Sequence, residues 1–503
     1  MIDIAGKRAY LIGIGGCGMS GLARMLRSRG AIVSGSDSTP SDTTAALVAE
    51  DITVSFNQWA GDLPDTCDFV VASAAIKPDH PERTAATARG LRVYTYAQAL
   101  GAVMDSATGV AIAGTHGKST TTAMLGAALA DAALDPTVIV GATCRQLIHG
   151  CLNQQRAAPT GFRLGAPIVP AGPFEGRAGL LIAEACEFNR SFHNFRPMIA
   201  SISAVEADHL DIYGTLDAVV EAFHDFARLI ASESEGGRLL IAHDGAHRRE
   251  VTAGVTCAVE TIGFSPEADW TVSYDPSNRR VRVRHDGREV GSWVCLVPGG
   301  HNAMNSAMAF VLGVMIGGDP TRLAASLGRF EGVHRRMECL GDRTAVGGGT
   351  VRVYDDYGHH PTEVDLTLRA LREHERPQER GGRLICVFQP HQHSRTRHLL
   401  EEFAAAFSSA DVVIVPHIYF VRDSVDEQNK VTAADLVDRL RERGVRAMHV
   451  YPFAAIVEQL EHLCHAGDLL VVMGAGPVWE VARDYLRAGR TPAVLSAAEA
   501  MRE

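Results

Sequence analysis

The sequence predicts an α/β protein of three domains. Three observations carry that expectation. Apolar strands alternate with amphipathic helices in three successive blocks, a Gly-Lys-Ser loop separates a strand from a helix at the head of the second block, and a further strand–helix run fills the chain beyond Val333. At 503 residues the chain is also too long for one ordinary core. The expected boundaries are 1–105, 106–332 and 333–503.

In the first block, Arg8–Ile14 reads as a strand, Met19–Arg29 as a helix with apolar residues at helical spacing, and Ala31–Gly35 as a second strand. Further β-like runs at Phe69–Ala72 and Leu91–Tyr94 each follow a helical stretch, which gives a parallel, Rossmann-like sheet. The second block opens with strand Gly109–Ala113, a phosphate-type loop and a helix from about Ser119 to Ala132. Gly179–Ala183 and Met198–Ser203 are apolar enough to be central strands of the same buried parallel sheet, so this block is expected to be a P-loop ATPase-type domain. Gln154–Gly179, dense in Gly, Pro and Arg, reads as a long surface loop. Within Trp270–Trp293, valines alternate with arginines before the turn Asp286-Gly287, the pattern of a small antiparallel excursion. In the third block Val351–Tyr354, Leu384–Phe388, Val412–Val415, Met448–Tyr451 and Leu469–Met473 read as strands of a second Rossmann-like sheet, with ligand groups expected beyond their carboxyl ends.

Composition narrows the function. Hydrophobic residues make up 46% of the chain without an 18-residue uncharged apolar run, so no membrane insertion is expected. Met1–Gly6 has no charged-then-apolar leader, and the expected location is cytoplasmic. A formal net charge of −11 argues against nucleic acid as a partner, while leaving small anions open to helix N-termini. The 10 cysteines form no CxxC pair and read as the thiols of a reducing compartment.

The chemistry is concentrated at Gly114-Thr115-His116-Gly117-Lys118-Ser119-Thr120. Gly114 and Gly117 let backbone N–H groups close around phosphate oxygens at a helix N-terminus. Lys118 can reach the β- and γ-phosphates of ATP, and the Ser119 hydroxyl suits Mg²⁺. The general pattern GxxxxGK[ST] has glycine where this chain has Ile112. Hard ligands for the cation are expected from strand ends, namely Glu184 and His209, the latter closing Glu206-Ala207-Asp208-His209.

At these residues the chain resembles the Mur ligases, almost end to end. Gly114–Thr120 resembles the family's GT-x-GK[ST]-T loop, which accounts for Ile112. Glu184-Ala185-Cys186-Glu187 resembles its EA-x-E metal segment, and Glu206–Asp211 its E-x-DHLD segment. Pro298–Asn305 resembles the PG-x-HN-x-x-N adenine site, and Gly332–Arg336 the hinge into the C-terminal domain. Gly13–Gly21, Asp355–Glu363 and Gln389–Thr396 are similar to the branch of the family that adds an alanine. The resemblance implies UDP-N-acetylmuramate and L-alanine as substrates, ATP and Mg²⁺, and a monomer or weak homodimer. It implies ATP contacts at Gly114–Thr120, His301, Asn302, Asn305, Arg336 and Asp356, and a metal held by Ser119, Glu184 and His209. For the UDP-sugar it implies Gly15, Gly16, Cys17, Gly18, Met19, Ser20, Asp37 and Ser73. The amino-acid pocket would hold Tyr357, His359, His391 and Arg395, and the catalytic set would be Lys118, His209, His359, His391 and Arg395. There are departures from the pattern. Gln392 stands where arginine is usual, His393 where tyrosine is usual, Cys186 where aspartate is common, and Ile418–Asp423 departs from IY-x-A-x-E. Between His209 and Arg228 there is no lysine to be carbamylated, and the alanine-adding branch lacks one too.

Gly13-x-Gly15-x-x-Gly18, with Asp37 after the next strand, also fits a dinucleotide fingerprint. A glycine loop recognises a diphosphate whatever is attached to it, and a separate ATP loop follows, so a UDP-sugar is preferred to NAD. Three alternatives are weighed: a family member that joins a preformed peptide to the same sugar, an NAD oxidoreductase, and a nucleotide-gated binding protein without turnover. With ligand groups on three domains, closure about 101–108 and 330–336 is expected to complete the site.

Overall fold

The computed structural model describes residues 4–153, 158–421 and 423–488. Three sheets organise them, as the strand–helix alternation predicts. The first contains β1 (Arg8–Ile12), β2 (Ile32–Ser36), β3 (Thr53–Ser55), β4 (Phe69–Ala72) and β5 (Arg92–Thr95) in the order β3-β2-β1-β4-β5. Every pairing in it is parallel. Phe69–Ala72, inside this sheet, is apolar and buried at every position, as a parallel strand covered on its faces requires.

The second sheet has ten strands: β6 (Thr108–Ala113), β7 (Thr137–Cys144), β8 (Thr160–Arg163), β9 (Leu180–Glu184), β10 (Ile199–Ile202), β11 (Arg238–Ala242), β12 (Ala258–Gly263), β13 (Trp270–Asp275), β14 (Arg280–His285) and β15 (Arg288–Val294). Their order is β15-β14-β13-β12-β11-β10-β6-β9-β7-β8. The phosphate-type loop follows β6, which lies between β10 and β9, so the turns carrying Glu184 and Glu206 leave the two strands that flank it. β13–β15 form the antiparallel excursion read from the Val/Arg alternation, and they extend the sheet rather than standing apart from it.

Gln154–Gly179 is not simply a surface loop. Residues 154–157 lie outside the described residues, but Thr160–Arg163 pairs antiparallel with β7, Ile168 bridges Ala178, and Val169 and Phe174 are buried. Four residues containing a glycine offer no alternation to read. That glycine is required, because a Cβ on Gly161 would sit 2.6 Å from Val140 O and 2.7 Å from Cys17 Sγ.

The third sheet contains β16 (Glu338–Thr344), β17 (Thr350–Asp356), β18 (Leu384–Phe388), β19 (Val412–Val415), β20 (Arg446–His449) and β21 (Leu469–Met473), in the order β16-β17-β21-β18-β19-β20. β16 is antiparallel and the rest are parallel. By compactness the chain divides into two units. One holds the first two sheets, through Ala207 and then 215–296 and 302–333; the other holds the third sheet together with 208–214 and 297–301. All ten cysteines are free thiols, and seven are buried.

Candidate functional site

In the first unit, Ile112 occupies a buried strand position of β6, paired with Ser201 on one side and Glu184 on the other. The strand therefore continues through the place where the general loop pattern has glycine, and the turn is confined to Gly114–Gly117. Both glycines are obligatory. Gly114 has φ +127° and Gly117 φ +82°, and a Cβ would lie 2.1 Å from Ser203 Oγ at the first and 2.3 Å from Asn305 Oδ1 at the second. Thr115 N–H donates to Ala204 O (2.8 Å), and the Thr115 hydroxyl accepts Glu206 N–H (3.0 Å). Gly117→Ala is expected to cost about 1–3 kcal/mol of stability and to weaken ATP binding. Thermal melts with and without ATP check this, and an unchanged nucleotide-induced shift would contradict it.

Lys118 opens the helix Lys118–Asp131, and its ammonium is fully engaged. Nζ donates to Gly114 O (2.6 Å) and Thr115 O (3.0 Å) and pairs with Glu187 at 3.1 Å from Oε1 and 2.9 Å from Oε2. Burial alone would push Lys118 down; the Glu187 carboxylate, with Cys186 and Glu184 nearby, outweighs it and carries the lysine up to about 12. Glu187 was missed as a site residue, although it is the second acid of the Glu184–Glu187 segment.

Ser119 and Thr120 are buried in the first helical turn, and Glu184 ends β9 with Oε1 accepting Gly141 N–H (2.8 Å). A hydroxyl and a carboxylate are the hard oxygen donors that magnesium prefers, so Ser119 and Glu184 fit that ion. The third candidate ligand, His209, belongs to the second unit. His116 Nε2 lies 3.4 Å from Glu206 Oε2. Asn302 and Asn305 are buried in the helix Gly300–Ile316, with Asn305 Nδ2 donating to Asn302 Oδ1 (3.3 Å); Asn305 Oδ1 is the atom set against Gly117. His301, in the same helix, falls in the second unit.

The first glycine loop joins β1 to the helix Cys17–Ser28. Gly13 has φ +78° and abuts Ser73, where a Cβ would meet Ser73 Cβ at 3.0 Å. Gly16 is the N-cap, without a side-chain cap and without an acid in the first turn, so the backbone N–H groups there are suited to an anion. Asp37 turns onto the loop itself. Its Oδ2 accepts Gly15 N–H (2.8 Å) and its Oδ1 Thr39 N–H (3.4 Å), an arrangement unlike a carboxylate kept for a ribose. The Cys17 thiol donates to Val140 O, and burial, with Glu184 adding to it, pushes it up to about 11. Met19 and Ser20 are each 4% exposed, and the Ser20 hydroxyl donates to Cys17 O, so what these two residues present is backbone.

In the second unit, the carboxyl ends of β17 and β18 gather the remaining groups. Asp356 accepts Met337 N–H (2.7 Å) and Gly358 N–H (2.6 Å), and burial, partly offset by Arg336, pushes its carboxyl up to about 6. Arg336 lies over the Tyr357 ring, 4.9 Å to its centroid, with Nη1 3.6 Å from Glu363 Oε1. The Tyr357 and His359 rings are 5.4 Å apart, the His359 and His391 rings 5.7 Å, and the His391 and Tyr419 rings 5.7 Å. His360 caps the helix Pro361–Glu375 by accepting Thr362 N–H, and buried His393 is tied through its N–H to Asp423. Gln392 is 2% exposed with φ +67°.

Arg395 is held where sequence could not show it. Nε (3.1 Å) and Nη2 (2.7 Å) donate to Asp208 Oδ1, Nη1 lies 3.2 Å from His391 Nδ1, and Nη2 lies 3.5 Å from His209 Nδ1. Burial would raise Asp208, but Arg395, with His209, His359 and His360, holds its carboxyl well below the usual range. Burial also presses His359 down to about 4, Glu363 opposing and Arg395 assisting, so its imidazole is neutral at neutral pH. A depressed histidine binds fewer protons folded than unfolded between pH 6.5 and about 4, so the stability linked to His359 is expected to be lost as pH falls through that window. Histidine-resolved NMR titration checks the midpoint; one near 6.5 would contradict the geometry.

A phosphate loop with its lysine on a central sheet, preceded by a glycine-loop sheet and followed by a third sheet bearing an arginine–histidine cluster, defines a three-domain nucleotide-dependent ligase. The chain belongs to the Mur ligase family, whose members are ATP-dependent ligases. Residues 8–108 match the Mur ligase family catalytic domain, 112–313 the Mur ligase middle domain, and 335–476 the Mur ligase glutamate ligase domain. The UDP-N-acetylmuramate–L-alanine ligase of Agathobacter rectalis is 36% identical over 485 residues, covering 95% of this chain and 97% of the relative. That of Paenarthrobacter aurescens is 39% identical over 475 residues, 94% of each chain. The fold is shared with the UDP-N-acetylmuramate–alanine ligase of Thermotoga maritima, with a TM-score of 0.73, 24% identity, and 96% of this chain and 98% of that one covered. A murein peptide ligase from Psychrobacter arcticus shares it as well, with a TM-score of 0.71, 23% identity, and 97% and 100% covered.

Proposed function

We propose that the protein joins L-alanine to the lactyl carboxylate of UDP-N-acetylmuramate with ATP as co-substrate, an early cytoplasmic step of peptidoglycan synthesis. The observation that carries this reading is the likeness, over nearly the whole length of both chains, to relatives that bear that name. The domains 1–105, 106–332 and 333–503 would serve the UDP-sugar, ATP and the amino acid in turn.

A carboxylate oxygen of the sugar attacks the γ-phosphorus of ATP and ADP leaves, giving an acyl phosphate. The amine of L-alanine then adds to the acyl carbon, phosphate departs with the C–O electron pair, and the nitrogen gives up a proton. Lys118 stabilises the charge on the transferring phosphoryl group, while N–H groups of the Gly114–Thr120 turn other than that of Thr115, which goes to Ala204 O, hold the phosphates and His301, Asn302 and Asn305 face the adenine. A divalent cation held by Ser119, Glu184 and His209 would supply further neutralisation of that charge. Arg336 and Asp356 complete the nucleotide contacts. The loop Gly15–Ser20, with Ser73, holds the UDP diphosphate through the N–H groups of its helix start, and Asp37 braces that loop by accepting the Gly15 N–H. Arg395 and His391 face the amino-acid carboxylate, and neutral His359 receives the ammonium without charge repulsion beside Tyr357.

The test compares phosphate release with L-alanine and with a preformed L-alanyl tripeptide, ATP, Mg²⁺ and UDP-N-acetylmuramate being present in both. L-alanine is expected to support turnover. Preference for the tripeptide would favour the peptide-joining reading instead.

A further inference from the structure

An anion-binding loop is an unfavourable place for a buried acid, because the acid shares the sign of the ligand. Glu187 is such an acid. Its side chain is 2% exposed, and its carboxylate grips Lys118, the one cation of the phosphate loop, at 2.9 and 3.1 Å. A lysine ammonium has three protons. Here two go to carbonyls of the loop, Gly114 O and Thr115 O, and the third to Glu187. To donate to a phosphate oxygen, Lys118 must give up one of the three. The two carbonyls belong to the turn that wraps the phosphates, and that turn is fixed by the Gly114 and Gly117 conformations and by Thr115 N–H donating to Ala204 O. The carboxylate is the exchangeable partner, since one charged oxygen replaces another and the charge-assisted bond is kept.

We infer that Glu187 is a positioning residue that holds Lys118 against the loop as a substitute anion and yields it to the nucleotide phosphate. The inference rests on the reading of Gly114–Thr120 as the ATP site. It has an uncommon consequence: removing the charge at Glu187 strengthens ATP binding. In the native protein ATP must break the Lys118–Glu187 pair and bring its polyphosphate beside a buried carboxylate. Glutamine keeps an acceptor for Lys118 but neither the competing charge nor the repulsion.

The experiment is calorimetric titration of MgATP into the full chain, comparing wild type, Glu187→Gln and Glu187→Asp, each first verified as folded by circular dichroism. Glu187→Gln is expected to bind ATP about tenfold tighter, with a lower KM for ATP and an unchanged KM for UDP-N-acetylmuramate. Glu187→Asp keeps the charge on a shorter arm, holds Lys118 less well, and is expected to fall between the two. A purely structural role does not tighten a ligand, so unchanged or weaker ATP binding by Glu187→Gln overturns the inference. A raised Mg²⁺ requirement in that variant overturns it too, by making Glu187 a cation ligand. Should Glu187→Gln fail to fold, Glu187→Asp decides: tighter binding supports exchange, and equal or weaker binding contradicts it. Failure of wild type to bind ATP would instead remove the ATP reading itself.

Discussion

Lys118→Ala is expected to lower ATP-dependent phosphate release by on the order of 10³-fold, the scale of removing a principal charge contact from a phosphoryl-transfer site. The same change leaves the Glu187 carboxylate buried beside Gly114 O and Thr115 O without its cation. Stability should therefore fall alongside activity, and the two effects must be separated. The double variant Lys118→Ala/Glu187→Gln removes the unpaired charge and is expected to melt close to wild type while remaining inactive. Phosphate release and thermal melts on the three proteins check this. Near-normal turnover by either lysine variant would remove Lys118 from the chemistry.

The second large effect is expected at Asp208. Its carboxylate receives two guanidinium N–H groups of Arg395, and the two side chains are 8% and 5% exposed. Deleting one member of a buried ion pair leaves the other uncompensated, so Asp208→Ala should cost about 3–5 kcal/mol of stability. Arg395 also loses the hold that sets it beside His391, so amino-acid-dependent turnover should collapse. Adding Arg395→Met should restore most of the stability and none of the activity, because the buried charge is gone and the proposed carboxylate contact with it. Denaturant unfolding and amino-acid titration measure the two separately. If Asp208→Ala keeps full stability, the pair is not buried as described.

What was readable in the sequence was local. Gly114–Thr120 is seven consecutive residues whose identities state their task, and strands such as Leu384–Phe388 and Leu469–Met473 are unbroken apolar runs between helices. What was not readable depends on distant partners. Lys118 meets Glu187 across 69 residues, Arg395 meets Asp208 across 187, and Asp37 reaches back 22 to the N–H of Gly15 rather than out to a ribose. Nothing in the spelling of Glu184–Glu187 says which acid serves the lysine. The sequence placed His359 and His391 in the pocket, and the backbone sets the other two apart, because His360 stands at a helix N-cap and the N–H of His393 lies against Asp423. β8 was hidden because four residues around a glycine carry no period, and β3 because it is only three residues long. Gln392 and His393 remain the informative departures. Both are buried beside His391, so their effect on amino-acid choice would act through the packing of that turn.

The central claim is that Lys118 and its loop activate a sugar-linked carboxylate rather than hydrolyse a nucleotide. The most direct measurement supplies UDP-N-acetylmuramate with ¹⁸O in both lactyl carboxylate oxygens, together with ATP, Mg²⁺ and L-alanine, and follows the label by mass spectrometry. The expected result is one ¹⁸O in each released phosphate and the other in the amide carbonyl of the product, because the acyl phosphate transfers one carboxylate oxygen to phosphorus. Phosphate free of label would contradict the account.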